Sequence, residues 1–61
     1  MGLETNSRKL LALLKSAGFE VISQKGSHIK LRKGERTVIL PHPKKDLPLG
    51  TVRSIYEQAG L

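Results

Sequence analysis

Two glycine-centred turns, Lys25-Gly26 and Lys33-Gly34-Glu35, bracket the segment HIKLR (His28 to Arg32) and limit what this chain can fold into. Glycine supplies the positive φ that a tight hairpin needs, so each turn reverses the chain. Between them the pattern alternates strictly. Ile29 and Leu31 point one way, and His28, Lys30 and Arg32 point the other. FEVISQ (Phe19 to Gln24) precedes the first turn, with Phe19, Val21 and Ser23 expected on one face and Glu20, Ile22 and Gln24 on the other. RTVIL (Arg36 to Leu40) follows the second turn and is rich in β-branched residues. Three antiparallel strands are therefore expected. With the second hairpin centred on Gly34, Arg32 falls opposite Arg36, and His28 falls opposite Leu40 or nearby, close to His42.

Helices are predicted at both ends. Asn6 or Ser7 can cap the first, and Leu10, Leu13, Leu14 and Ala17 follow at the spacing of one helical face. Gly18 suits the left-handed position that ends such a helix, and Lys15 in its last turn favours the negative end of the dipole. Pro41 and Pro43 stop the sheet, and PHPKKDLP reads as a loop. A second helix is predicted from about Gly50-Thr51, with Val52, Ile55, Tyr56 and Ala59 on one face and Gly60 as its end. The order is helix, three strands, helix. Only the helices can supply a second apolar layer, so both belong over the sheet face that carries Ile29 and Leu31. The fold class is α+β, in one domain over 1–61.

A chain of 61 residues buries only about 60% of the surface it exposes when unfolded. It contains no cysteine, so neither disulfides nor thiolate zinc sites reinforce that small core. Two histidines and five carboxylates make a poor metal set, and no metal or cofactor is expected. The longest apolar run, LLALL (Leu10 to Leu14), is far too short to span a membrane, and no secretory signal pattern opens the chain. A soluble, cytoplasmic protein is expected. Eleven Lys and Arg against five Asp and Glu give a net charge of +6. Seven of those cations (Lys25, Lys30, Arg32, Lys33, Arg36, Lys44 and Lys45) fall within residues 24–45, where Glu35 is the only acid. Such a field attracts polyanions, nucleic acid above all, or an acidic protein partner.

His28, Lys30 and Arg32 would then share the open face of the sheet. Pattern alone favours an ordinary solvated strand face. The adjoining Lys25, Gly26 and Ser27 add a cation, an unshielded backbone N–H and a hydroxyl, each suited to a phosphate. RNA cleavage without a metal needs a base for the 2′-hydroxyl proton and an acid for the departing 5′-oxygen. Imidazole can act as either near neutrality, and a cation can stabilise the charge that builds on phosphorus. The strand register leaves two readings of His42 open: a partner to His28, or a loop residue bracketed by prolines. No Asp or Glu lies near His28 in sequence to orient it.

KLLALLKSAGFEV near the start, KGSHIKL at the centre and LPLGTVRSIYEQAGL at the end together resemble the HicA family of small mRNA interferase toxins. The likeness covers nearly the whole chain after MGLETN. It implies a fold similar to the double-stranded-RNA-binding domain, with three antiparallel strands and both helices on one face. It also implies ribonuclease activity towards mRNA, with the histidine of the Gly-Ser-His motif, here His28, as the catalytic residue. Gly26 and Ser27 match the preceding motif positions, and Lys25 matches one that is commonly basic. With Lys30, Arg32 and His42 they make up the expected RNA-binding set. A HicB-type antitoxin that blocks the active site is implied as partner, with operator DNA bound only through the toxin–antitoxin complex.

The rival reading is a small basic module that binds RNA without cutting it. One Phe and one Tyr offer little for stacking single-stranded bases. DNA binding lacks a helix-turn-helix pattern, and neither predicted helix has a dense basic face.

Overall fold

The computed structural model describes residues 3–61 and has the α+β order expected: α1 (Ser7–Ser16), β1 (Glu20–Lys25), β2 (His28–Lys33), β3 (Arg36–Pro41) and α2 (Leu49–Ala59). The strands form one antiparallel sheet in the order β1-β2-β3. Ile29 and Leu31 of β2 and Val38 and Leu40 of β3 are buried, together with Leu10 and Leu14 of α1 and Val52, Ile55 and Ala59 of α2. Both helices therefore cover one sheet face, in the arrangement of a double-stranded-RNA-binding domain.

Asn6, not Ser7, caps α1. Its side-chain oxygen accepts from the backbone N–H groups of Arg8 at 3.0 Å and Lys9 at 3.2 Å. Ser7 is thus the first helical residue and is buried. The buried stripe runs through Ser7, Leu10 and Leu14, while Leu13 stands 37% exposed on its flank, contrary to the expected face. Successive residues turn by about 100°, so a stripe centred on Leu10 and Leu14 leaves Leu13 at its margin. At the other end, Lys33 Nζ of β2 donates to the Ala17 carbonyl at 2.6 Å, a cation on the negative end of the helix.

Both hairpins have two-residue loops, Gly26-Ser27 and Gly34-Glu35, with Lys25 and Lys33 still inside their strands. The glycines lie at φ +58° and +59°, and no non-glycine residue among those described has positive φ. That is the pattern of a II′ turn, with glycine first. Because the second loop is two residues rather than a turn centred on Gly34, the register differs by one from the expectation. Arg32 pairs with Thr37, and His28 pairs with Pro41 instead of Leu40. Strand β1 departs further from simple alternation. An irregularity between Val21 and Ser23 shifts the pairing, so Ser23 faces Lys30 and Lys25 faces His28, and Ser23 no longer shares a face with Val21.

Helix α2 begins at Leu49, slightly earlier than expected, after Pro48. Proline belongs at such a start, where no intrahelical N–H is needed. Gly60 at φ +73° ends the helix, with its own N–H bonded to the Glu57 carbonyl and the Leu61 N–H bonded to that of Tyr56. The free edge of β3 is closed from the same helix, since Gln58 Oε1 accepts from the Ile39 N–H at 3.3 Å. Pro41 continues that edge without a donor. His42 N–H donates to the Ser27 carbonyl at 2.7 Å, which makes 27–42 a hydrogen-bonded pair and leaves 28–41 a non-bonded one. The absent proline N–H therefore costs the ladder nothing.

Candidate nucleic-acid interface

The sheet register arranges the uncovered face in three rows. Lys25, His28 and Pro41 lie across one end of the sheet, then Ser23, Lys30 and Ile39, then Glu20, Arg32 and Thr37. Lys25, Ser27, His28, Lys30 and Arg32 are all exposed. A lone imidazole thus stands beside a cation in its own row, with two more along its strand. Its cross-strand neighbours are Lys25 and Pro41, so no carboxylate orients it from either side. Among the described residues the one acid in these rows, Glu20, lies opposite Arg32, two rows away. It escaped the sequence reading because the irregularity in β1 changes which residues share a face.

Gly26 and Ser27 form the turn directly before His28. A methyl group placed on Gly26 would meet nothing within 4 Å, so the backbone there is open to a ligand. Six of the expected residues (Lys25, Gly26, Ser27, His28, Lys30 and Arg32) are therefore contiguous in space. Their chemistry suits a phosphate: cations, an exposed backbone turn, a hydroxyl and an imidazole able to move a proton.

His42 is placed differently. It continues the parity of the buried Leu40, and its Nδ1 lies 2.8 Å from Ser7 Oγ, at the start of α1 beneath the sheet. Ser7 Oγ also accepts from the Lys44 N–H at 2.8 Å, and Ser7 N–H donates to the Lys44 carbonyl at 2.9 Å. Leu47 N–H donates to the Thr5 carbonyl at 2.8 Å. The loop after β3 is thereby fastened to the residues that open α1. Sequence reasoning gave Ser7 no role beyond capping, and no local signal could have paired it with a histidine 35 residues away. Among the described residues, no three of His, Asp or Glu come together as a metal-binding group.

The family model for the HicA toxin of bacterial toxin–antitoxin systems matches residues 7–61. The chain belongs to the HicA toxin family. The match takes in both helices and every strand, so the fold and the open-face residues lie inside the family's own boundaries. No curated protein matches the chain. Membership gives this HicA protein the role of toxin in a toxin–antitoxin pair, and hence an antitoxin as partner. Among the described residues, no helix is long and apolar enough to cross a membrane.

Proposed function

We propose that this HicA toxin is a metal-independent endoribonuclease that cleaves mRNA in the cytoplasm, with His28 as its general acid and base. The observation that carries the reading is the exposed imidazole of His28 beside Lys25, on a face also lined by Lys30 and Arg32. The RNA 2′-oxygen attacks the adjacent phosphorus. As the new P–O2′ bond forms, His28 takes the 2′-hydroxyl proton. The P–O5′ bond breaks, and a proton returned by imidazolium leaves with the 5′-oxygen, giving a 2′,3′-cyclic phosphate and a free 5′-hydroxyl. Lys25 and Lys30 supply positive charge where the pentacoordinate phosphorane gains negative charge. Gly26 and Ser27 hold the neighbouring phosphate through a backbone N–H and a hydroxyl, and Arg32 extends the cationic track.

A HicB-type antitoxin inhibits by covering this open face, and acidic groups would meet Lys25, Lys30 and Arg32. Operator DNA is bound only by the complex. One domain over 1–61 carries the activity. The test is the His28→Ala protein: RNA cleavage and growth arrest on induction should both vanish while the domain stays folded. A folded His28→Ala protein that still cuts RNA removes the catalytic assignment. A wild-type protein that binds RNA but never cuts it returns the reading to a binding module.

A further inference from the structure

A second feature lies round the end of the sheet from His28. An open cleft of about 620 Å³ is lined by Asn6, Ser7, Arg8, Lys9, His42, Pro43, Lys44 and Lys45. Two cation pairs, Arg8-Lys9 from the start of α1 and Lys44-Lys45 from the loop after β3, converge there, and among the described residues no acidic side chain lines it. All four are exposed. The backbone donors at the start of α1 are already occupied, because Asn6 accepts from both Arg8 and Lys9. Whatever the cleft attracts is held by side chains and not by the helix end.

The hydrogen bonds on Ser7 determine what His42 offers. Lys44 N–H can only donate, so it fills one lone pair of Ser7 Oγ. The hydroxyl proton of this buried serine needs an acceptor, and His42 Nδ1 stands 2.8 Å away. In the tautomer that lets Ser7 donate to Nδ1, Nε2 carries the ring hydrogen. In that tautomer His42 adds an N–H donor to the lining of a cleft that already holds four cations.

We infer that this cleft is a second phosphate-binding site, which grips the backbone of the same RNA several nucleotides from the bond cut at His28. The inference rests on the ribonuclease reading above for the identity of its ligand. The connection is short. His42 N–H bonds to the Ser27 carbonyl, so the cleft begins where the Gly26-Ser27 turn ends. A strand leaving the open face past Pro41 enters it directly. His42 is then not a second catalytic histidine but a residue that binds substrate outside the reacting bond.

The probe is a fluorescent 2′-O-methyl RNA dodecamer, which cannot be cut whichever residue performs cleavage, compared with a trinucleotide of the same chemistry. Anisotropy titrations across a salt series would compare wild type with Lys44→Ala/Lys45→Ala. The control is Lys15→Ala/Arg53→Ala, which removes the same charge outside the cleft. Lys44 reaches Ser7 through its backbone, so the substitution leaves those bonds in place. Dodecamer affinity should fall about tenfold in the cleft variant, and the slope of log K against log salt should be shallower by about 1.4, as for two phosphate contacts on a single strand. The loss should be smaller for the trinucleotide and for the control pair. Equal losses in the two pairs would overturn the inference, since net charge alone would then explain them. Weakened binding of polyglutamate with unchanged RNA affinity would overturn it too, and would assign the cleft to a protein partner. The two readings fail separately. If His28→Ala still cuts while the cleft variant loses dodecamer binding, only the catalytic assignment falls; an inactive His28→Ala beside a cleft variant of unchanged dodecamer affinity removes only the cleft.

Discussion

His28 and His42 stand at the same end of the sheet, one opening β2 and the other just past β3, and the fold treats them in opposite ways. His28 opens β2 on the uncovered face, exposed, with a lysine and a proline across from it. His42 follows β3 with the parity of the core, half-buried, its ring bonded to a serine at the start of α1. A single step of pleat separates a side chain free to meet substrate from one tied to the scaffold. The difference shows why nearness in register is a poor guide to shared chemistry. Residues close along a ladder act together only when they project to the same side.

The sharpest way to break this contrast is to remove each imidazole in turn. His28→Ala should lower the cleavage rate by about 10²–10⁴-fold, the usual contribution of one general acid–base group. Its unfolding free energy should stay within about 0.5 kcal/mol of wild type, as for an exposed surface position. Comparable rate losses for His28→Ala and His42→Ala, in proteins of equal stability, would restore the two-histidine mechanism. Cleavage of a defined oligonucleotide, read beside urea denaturation, gives both quantities.

The next effect in size falls on the other partner of His42. Ser7→Ala should cost about 1–3 kcal/mol, because it strips the Lys44 N–H of its acceptor in a part-buried setting and frees the His42 ring. Against a total of roughly 3–9 kcal/mol for a chain of this size, that is a large fraction. A urea midpoint equal to that of wild type would mean that the Ser7 bonds do not hold the loop. Asn6→Ala should follow with about 1 kcal/mol, the usual worth of such a cap.

The two histidines also mark how far the sequence could be read. The period-2 pattern of HIKLR and the 3.6-residue spacing of the helices were enough for the element order, for the inward direction of Ile29 and Leu31, and for the open placement of His28, Lys30 and Arg32. The register needed one more piece of information, the position of the positive-φ residue within each turn. Glycine comes first in a two-residue loop, which pushes the pairing of His28 from Leu40 to Pro41. The irregularity in β1 had no local signature, since Val21-Ile22-Ser23 alternates as well as any strand, yet it moves Ser23 and Lys25 onto the face of His28. The Ser7–His42–Lys44 cluster joins residues 35 and 37 apart, and only the packing of α1 beneath the sheet brings them together. Arg8-Lys9 and Lys44-Lys45 are visible as charge doublets, but their convergence on one cleft depends on the same packing.

The smallest expected effect isolates the turn beside His28. Gly26 and Gly34 occupy the same place in two hairpins of the same loop length, at φ +58° and +59°, and a methyl group at either would meet nothing within 4 Å. Substituting alanine therefore costs only the backbone conformation, about 1 kcal/mol at each site and nearly equal at the two. Gly60 could not serve as a third member, because a methyl group there would meet the Arg36 guanidinium at 2.6 Å. The matched pair removes stability from the comparison. If Gly26 offers its backbone to a phosphate, Gly26→Ala should raise KM for RNA about two- to threefold over Gly34→Ala, since the added methyl stands where the sugar-phosphate must approach. Its kcat should be less affected, because His28 keeps its place in β2. Equal KM values for the two variants, with equal denaturation midpoints, would reduce the Gly26-Ser27 turn to a device for reversing the chain and leave phosphate binding to Lys25, Lys30 and Arg32.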